Sequence, residues 1–300
     1  MKKVCVKISA AVVALIVAFF SLVYPAARVG AVENNAMTYY VYDAQGKYKY
    51  TYSLPKVATL LASQSREAFQ DDSRVVDFTK SGVCRVSMAG GSGTGFVVDS
   101  HTIATAAHIV YDIEYAGRPS ETSKRAIGEI SFYNANGVNT LTLGPLNVKE
   151  VHVPKLFYDN NRVVYRGTYD YALITVNTDL SDYHIFNLGY LRDSVMDWNH
   201  ALSCTGFPGT VRDDDSGNTM YTAAGRLTSL DSLTMYHNID TSRGNSGSPM
   251  YLTTRYGNKV YYTVIGIHVG SVEETVKSDK HRGVRITTDV LHFYKNNPNK

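Results

Sequence analysis

The 300-residue sequence has no internal repeat at the ~20–50-residue periods of repeat proteins and no low-complexity linker, which excludes a solenoid or tandem array. Cysteine is scarce, with three, and tryptophan scarcer, with one. Three thiols cannot build the dense disulfide framework of small secreted scaffolds. Positive charge is also lacking: the formal net charge of +3 includes Lys2, Lys3, Lys7 and Arg28, and removing those four leaves −1 for residues 32–300. Nothing basic remains to attract nucleic acid. What is there is 44% hydrophobic and 19% charged residues. That is enough apolar material for one large core or two small ones, and unlike a disordered chain.

Lys2, Lys3 and Lys7 precede an uncharged, largely apolar run from Ile8 to Tyr24, then Pro25 and the small residues Val29-Gly30-Ala31. This order predicts a signal peptide spanning 1–31 and a secreted, extracellular protein with no membrane attachment after cleavage. The competing reading is an uncleaved anchor, since the run approaches spanning length. Cys5 leaves with the leader, so Cys84 and Cys204 remain, either as a disulfide or as two buried free thiols. The segment from Val32 to about Arg66 is rich in tyrosine, carries Lys47, Lys49 and Lys56, and has one helix-like stretch at 56–64. It reads as a propeptide, 32–66, with Arg66-Glu67 and Arg74-Val75 as candidate cut sites and the region near Arg66 preferred.

Beyond it, short runs rich in β-branched and aromatic residues (Val83 to Met88, Gly95 to Val98, Ala172 to Val176, Ala201 to Gly206, Val260 to His268) alternate with Gly, Asn, Asp and Pro clusters. This pattern predicts an all-β barrel or sandwich. Asp179 to Asn199 separates two strand-rich halves. One helix is expected at the end: Asp289 as its cap, Val290, Leu291, Phe293 and Tyr294 as its apolar stripe, Lys295 at its C-terminal end and Pro298 beyond.

Three stretches carry chemistry. In Thr241-Ser-Arg-Gly-Asn-Ser-Gly-Ser-Pro249, glycines flank Ser246 and let the backbone turn tightly enough to present its hydroxyl. The amides of Gly244 and Ser246 stand in the relative positions of an oxyanion hole. Thr105-Ala-Ala-His108 follows the strand-like Gly93 to Val98, and its small residues let His108 sit at a crowded strand end. In Tyr169-Asp-Tyr-Ala-Leu-Ile174 a carboxylate enters an apolar strand, where it is costly without a partner such as an imidazole N–H. Asp170 would then orient His108, and His108 would take the proton of Ser246 and pass it to a leaving amine.

Thr-Ala-Ala-His, Tyr-Asp-Tyr-Ala and Gly-Asn-Ser-Gly-Ser-Pro, in the order His, Asp, Ser, resemble the chymotrypsin-type serine proteases, an order foreign to subtilisins and α/β-hydrolases. Within them, roughly Val75 to Asn297 is most similar to the bacterial glutamyl endopeptidases. The resemblance implies two antiparallel six-stranded β-barrels with a C-terminal α-helix: residues 67–190 with His108 and Asp170, and residues 191–300 with Ser246 and the S1 pocket. It implies a secreted zymogen, acting as a monomer without cofactor or metal, whose partners are protein or peptide substrates and an activating protease.

The resemblance also sets specificity. Gly266-Ile-His268-Val-Gly-Ser271 matches the stretch whose histidine lines S1, so His268 with the hydroxyls of Thr241 and Ser271 would receive a P1 glutamate, and less well an aspartate. Asn245 cannot form the ion pair that an aspartate before the nucleophile makes with a new N-terminus in many relatives, so a processed N-terminus is expected beside S1 instead. Arg243 departs from the pattern, with either a field near the pocket or plain solvation as its role. Asp213-Asp-Asp215 reads as a solvated loop in preference to a calcium site. Two other readings stay open: a narrow-specificity protease similar to exfoliative toxins, and a non-catalytic binding protein on the same fold.

Overall fold

The computed structural model describes residues 36–42, 48–55, 74–111, 127–159, 168–190, 201–209, 217–256, 258–271 and 281–296. The leader, the helix-like stretch at 56–64, the Arg66-Glu67 bond, Trp198 and Asp213–Asp215 lie outside them. No described helix is long and apolar enough to cross a membrane.

The chain is mainly β. In order it forms β1 (Ala36–Tyr42), β2 (Tyr48–Pro55), β3 (Val75–Val76), β4 (Val83–Met88), β5 (Gly91–Asp99), β6 (Thr102–Thr105), α1 (Ala107–Val110), β7 (Ile127–Tyr133), β8 (Asn139–Leu143), β9 (Val148–Pro154), α2 (Lys155–Asp159), β10 (Ala172–Val176) and β11 (Asn187–Leu188). Then follow β12 (Leu202–Gly206), β13 (Tyr221–Gly225), β14 (Leu227–Leu230), β15 (Thr234–His237), β16 (Pro249–Tyr256), β17 (Lys259–Ser271), β18 (His281–Arg285) and α3 (Thr288–Lys295). One sheet runs β2-β1-β9-β10-β6-β5-β4-β7-β8 and the other β14-β15-β18-β17-β16-β12-β13-β3, with β11 joining β17. Among the described strands, all pairings are antiparallel except the parallel β11–β17 pair.

Two pairings bear on how the chain divides between the sheets. β11 already pairs with the second sheet, so the chain has crossed over before Asn187. β1 and β2, in the segment read as a propeptide, form a hairpin whose inner strand pairs with β9 of the first sheet.

The strand chemistry explains the layers. β4 (Val-Cys-Arg-Val-Ser-Met) buries Val83, Cys84, Val86 and Met88 and leaves Arg85 and Ser87 half-buried, an alternating pattern with one core face. β10 (Ala-Leu-Ile-Thr-Val) is buried along its whole length, paired on both edges by β6 and β9 and met at its head by α3. Tyr294 donates its hydroxyl to the Ala172 carbonyl at 2.9 Å, and the Phe293 ring meets Tyr171 edge-on at 5.2 Å. The larger core draws on both sheets, from Val86, Phe96 and Phe132 to Tyr251, Ile267 and Val284. A second cluster around Leu202, Cys204, Met235, Met250 and Ile265 belongs to the second sheet alone.

α3 begins one residue before the position expected for its cap. Thr287, in an extended conformation, is the N-cap and accepts from the Val290 amide, while Asp289 sits in the first turn. Both residues are good N-terminal signals, and the hydroxyl two residues earlier is the one with non-helical backbone.

Phe293 is fully buried between α3 and the segment that leads into β10. Phe293→Ala should therefore lower unfolding free energy by about 3–5 kcal/mol in urea denaturation.

Candidate active site

His108 is placed by the end of β6. After Thr105 the chain passes Ala106 and Ala107, both fully buried, and turns into α1, which has no side-chain cap of its own. The cap arrives from elsewhere: Asp170, two residues before β10, accepts the His108 amide on Oδ1 at 2.9 Å and the His108 Nδ1 on Oδ2 at 2.6 Å. One carboxylate thus fixes backbone and ring together. Its side chain is 1% exposed against 18% for that of His108, so the pair is covered on the aspartate side and open on the imidazole side. Because a carboxylate accepts, Nδ1 carries the proton and Nε2 keeps its lone pair.

Ser246 sits on a loop held by its own groups. Asn245 donates its amide to the Ser242 carbonyl at 3.0 Å, accepts the Ser242 amide on Oδ1 at 3.1 Å, and receives the Ser248 amide on its carbonyl at 2.9 Å. Two glycines permit the path. Gly244 has φ 97 and a Cβ there would lie 2.3 Å from the Phe207 carbonyl oxygen; Gly247 has φ 89 and a Cβ would lie 2.0 Å from that of Thr94. Among the described residues, the amides of Gly244 and Ser246 meet no acceptor, and no hydrogen bond joins Ser246 Oγ to His108 Nε2.

The loop is tied to both sheets through Thr94. Its amide donates to the Ser246 carbonyl at 2.8 Å, and its hydroxyl donates to the Gly244 carbonyl at 2.9 Å. The same hydroxyl accepts the Phe207 amide at 2.9 Å, and its carbonyl accepts the Thr105 hydroxyl at 2.7 Å.

His268 lies behind the loop on β17, donating its amide to the Ser248 carbonyl at 2.9 Å and accepting that of Gly247 at 2.8 Å. It belongs to a cluster of three buried histidines. His237 Nε2 lies 3.1 Å from His268 Nδ1, the His237 and His281 rings stack at 5.6 Å, and His281 Nδ1 lies 3.0 Å from Thr241 Oγ1. The Ile239 amide donates to His237 Nδ1 at 3.2 Å, so the His237 proton is on Nε2 and is given to His268 Nδ1. The His268 proton is therefore on Nε2, which has no partner among the described residues. Burial, then the neighbouring His268 and His281, hold His237 well below the ordinary imidazole range. Burial, then His281, His108 and Arg282, do the same to His268.

Of the expected pocket residues, Thr241 and His268 share this cluster, and Ser271 ends β17 in register with His281. His237 and His281 were not anticipated. Their signal is a histidine inside a strand-like run, Thr-Met-Tyr-His and His-Arg-Gly-Val-Arg, where an imidazole is costly unless partnered. Thr94 was missed as well. Arg74 reaches the same loop, donating from Nη1 to Ser242 Oγ at 3.3 Å. Arg243 is exposed, and its carbonyl accepts the Gly209 amide at 2.6 Å.

Cys84 and Cys204 are free thiols, one in each sheet, so the disulfide alternative is not realised. Burial pushes the Cys84 thiol far up and Cys204 up to about 12, which leaves both unreactive.

In comparison with known proteins, the trypsin-like peptidase domain matches residues 93–260. The chain is similar to the glutamyl endopeptidase of Bacillus licheniformis, with 24% identity over 211 residues, 70% of this chain and 60% of that protein. It thus spans about three fifths of the length of that curated relative. A solved Glu endopeptidase structure in complex with MPD aligns with TM-score 0.56 and 21% identity, covering 75% of this chain and 95% of the other. The protease Anisep from Arthrobacter nicotinovorans aligns with TM-score 0.51 and 17% identity, covering 78% and 97%. An inactivated scabies mite protease paralogue aligns with TM-score 0.52 and 12% identity, covering 78% and 100%.

The neutral buried histidines have a stability signature. Unfolded, each binds a proton below about pH 6.5; folded, His237 and His268 do so only at lower pH. Their contribution is complete above about pH 6.5 and is lost as pH falls toward the depressed values, by about 1.4 kcal/mol per pH unit for each. Denaturation midpoints measured between pH 7 and 5 should fall accordingly, and His237→Gln should flatten that slope by about half.

Proposed function

The chain belongs to the trypsin-like peptidase family, and from that premise we propose a secreted serine endopeptidase that hydrolyses peptide bonds through an acyl-enzyme on Ser246. The observation that carries the reading is the double hydrogen bond from His108 to the buried Asp170, which leaves the Nε2 lone pair available as a base. His108 takes the Ser246 proton as Oγ attacks the substrate carbonyl. The unpartnered amides of Gly244 and Ser246 receive the oxyanion, and the imidazolium returns the proton to the leaving amine. Water then enters by the same base and releases the acid. The hydrogen bond between Ser246 Oγ and His108 Nε2 forms when substrate is seated, as catalytic hydrogen bonds commonly tighten on binding.

The proposed P1 residue is glutamate, then aspartate. Support comes from His268, which offers an Nε2–H donor whose orientation is set by the His237 relay, with Thr241 beside it on His281. His268 donates as a neutral ring, so the charge in this hydrogen bond comes from the substrate carboxylate. A lysine or arginine would find no anionic partner among His268, Thr241 and Ser271.

Peptide cleavage mapped by mass spectrometry in a denatured protein mixture should place sites after Glu. Ser246→Ala should lower kcat by at least about 10⁴-fold with an unchanged unfolding midpoint. His268→Asn should cut kcat/KM for Glu substrates by about 10–100-fold, the worth of one hydrogen bond to a charge, with little change for a P1 Gln peptide. Retained cleavage of a Glu peptide by the Ser246 variant would sink the triad assignment.

For activation we take the Arg74–Val75 bond, the candidate that falls among the described residues. Val75 is 60% exposed, while β3 pairs with β13 and Asp77 beyond it is held by Thr79, Lys80 and Thr222. A new amine at Val75 would stay tethered near Ser242, where Arg74 reaches now. N-terminal sequencing of the active secreted protein should read Val75, and Arg74→Gln should stall processing. A fully active product beginning at Val32 would remove the hypothesis.

A further inference from the structure

The hairpin β1–β2 precedes the proposed cut, yet its backbone belongs to the first sheet. β1 is paired on both edges: with β2 over seven registered pairs, and at Tyr39–Tyr42 with Pro154–Val151 of β9. The two strand sequences divide accordingly. β1, Ala-Met-Thr-Tyr-Tyr-Val-Tyr, has no charge, as suits a strand with neighbours on either side. β2, the outermost strand of the sheet, carries Lys49 and ends on Pro55. Charge and proline are two features that stop an outer edge from recruiting further strands.

β9 has almost no such protection where β1 covers it. Val151, His152 and Val153 are all buried, and only Pro154 at the strand's end blocks pairing. Stripped of β1, this half-strand would present open amides and carbonyls on an apolar edge, one strand away from β10. On leaving the hairpin, the chain is next described at Arg74, where β3 pairs with β13 in the second sheet. Scission of Arg74–Val75 removes no registered pair of β1, β2 or β3.

We propose that residues 36–55 are retained at maturation, bound to β9 by strand addition, so that the processed protein is a two-chain complex of an N-terminal fragment and a body beginning at Val75. Main-chain hydrogen bonds supply the affinity and the alternation of side chains fixes the register, as in other strand-added complexes. The retained strand closes the exposed edge of β9. Through β9 it supports β10, which begins two residues after the aspartate that holds His108. The proposal takes from the proposed function only the position of the cut, and its test supplies that cut artificially, so the two stand or fall apart.

Gln70→Asp, Ser73→Asp and Arg74→Lys turn residues 70–74, Gln-Asp-Asp-Ser-Arg, into an Asp-Asp-Asp-Asp-Lys run that enteropeptidase cuts just before Val75. The full chain with these changes and Ser246→Ala is cut and passed over a sizing column with intact-mass detection. The fragment ending at position 74 should co-elute with the body and separate only in denaturing urea. Adding Tyr40→Pro with Val41→Pro, which deletes consecutive amides facing opposite edges of β1, should lower the co-eluting fraction at least tenfold. A fragment that separates without denaturant, or co-elution indifferent to the two prolines, overturns the proposal.

Discussion

One threonine holds the two sheets and the serine loop in a common frame. Thr94, fully buried on β5, uses its amide, carbonyl and both capacities of its hydroxyl: toward Ser246, Thr105, Gly244 and Phe207. Phe207 follows β12 of the second sheet, and Thr105 ends the strand that runs into His108. The strand leading to His108, the Ser246 carbonyl and the Gly244 carbonyl all hang on one side chain and its peptide groups. Each of these bonds adds about 1 kcal/mol net, but a buried partner left unpaired costs more. Valine has the same shape and neither capacity, so the constraint is on the hydroxyl and not on the volume.

The histidine cluster is the second constraint, and it works through neutrality. Three imidazoles within one buried region cannot all be charged, since each proton added would face desolvation and its neighbours together. Neutral rings, however, have one donor and one acceptor each. The Ile239 amide decides the first tautomer, and the hydrogen bond to His268 transmits it. A backbone group on the far side of the cluster thus sets which His268 nitrogen presents a proton. The same ring in water would offer either tautomer.

Much of this was legible in the sequence where local composition and chemistry agree. Asp170 stands in an apolar run, and a carboxylate there needs a donor; the glycines around Ser246 mark a turn that only they can take. The all-β class and the terminal helix follow from strand-like runs between turn residues and from one amphipathic stripe. What stayed hidden depends on pairing across long stretches of chain. Nothing near Thr94 announces that Phe207 and Gly244 will meet its hydroxyl, and His237 and His281 look like isolated polar residues until β15, β17 and β18 lie side by side. The hairpin lies in the segment that composition marks as a propeptide, and its pairing is invisible there because the partner strand β9 lies far along the chain. Thr287 outranked Asp289 as the helix cap for a local reason, its extended backbone, which a residue pattern does not carry.

The serine loop and His268, the proposed pocket histidine, are also one mechanical unit. Gly247 gives its amide to the His268 carbonyl and Ser248 receives the His268 amide on its own, so β17 and the residues after Ser246 form a short ladder. Gly247, at φ 89, is packed against Thr94 on the other side and cannot yield without strain. A displacement of His268 that moves its backbone is therefore felt at the Ser246 amide, one of the two groups proposed to receive the oxyanion. A change that alters only the ring is not. Substitutions that repack β17 should act on the chemical step as well as on recognition, whereas those that change only the hydrogen-bonding face of the ring should act on recognition alone. On the proposed roles, specificity and turnover are separable at the His268 side chain and inseparable at its backbone.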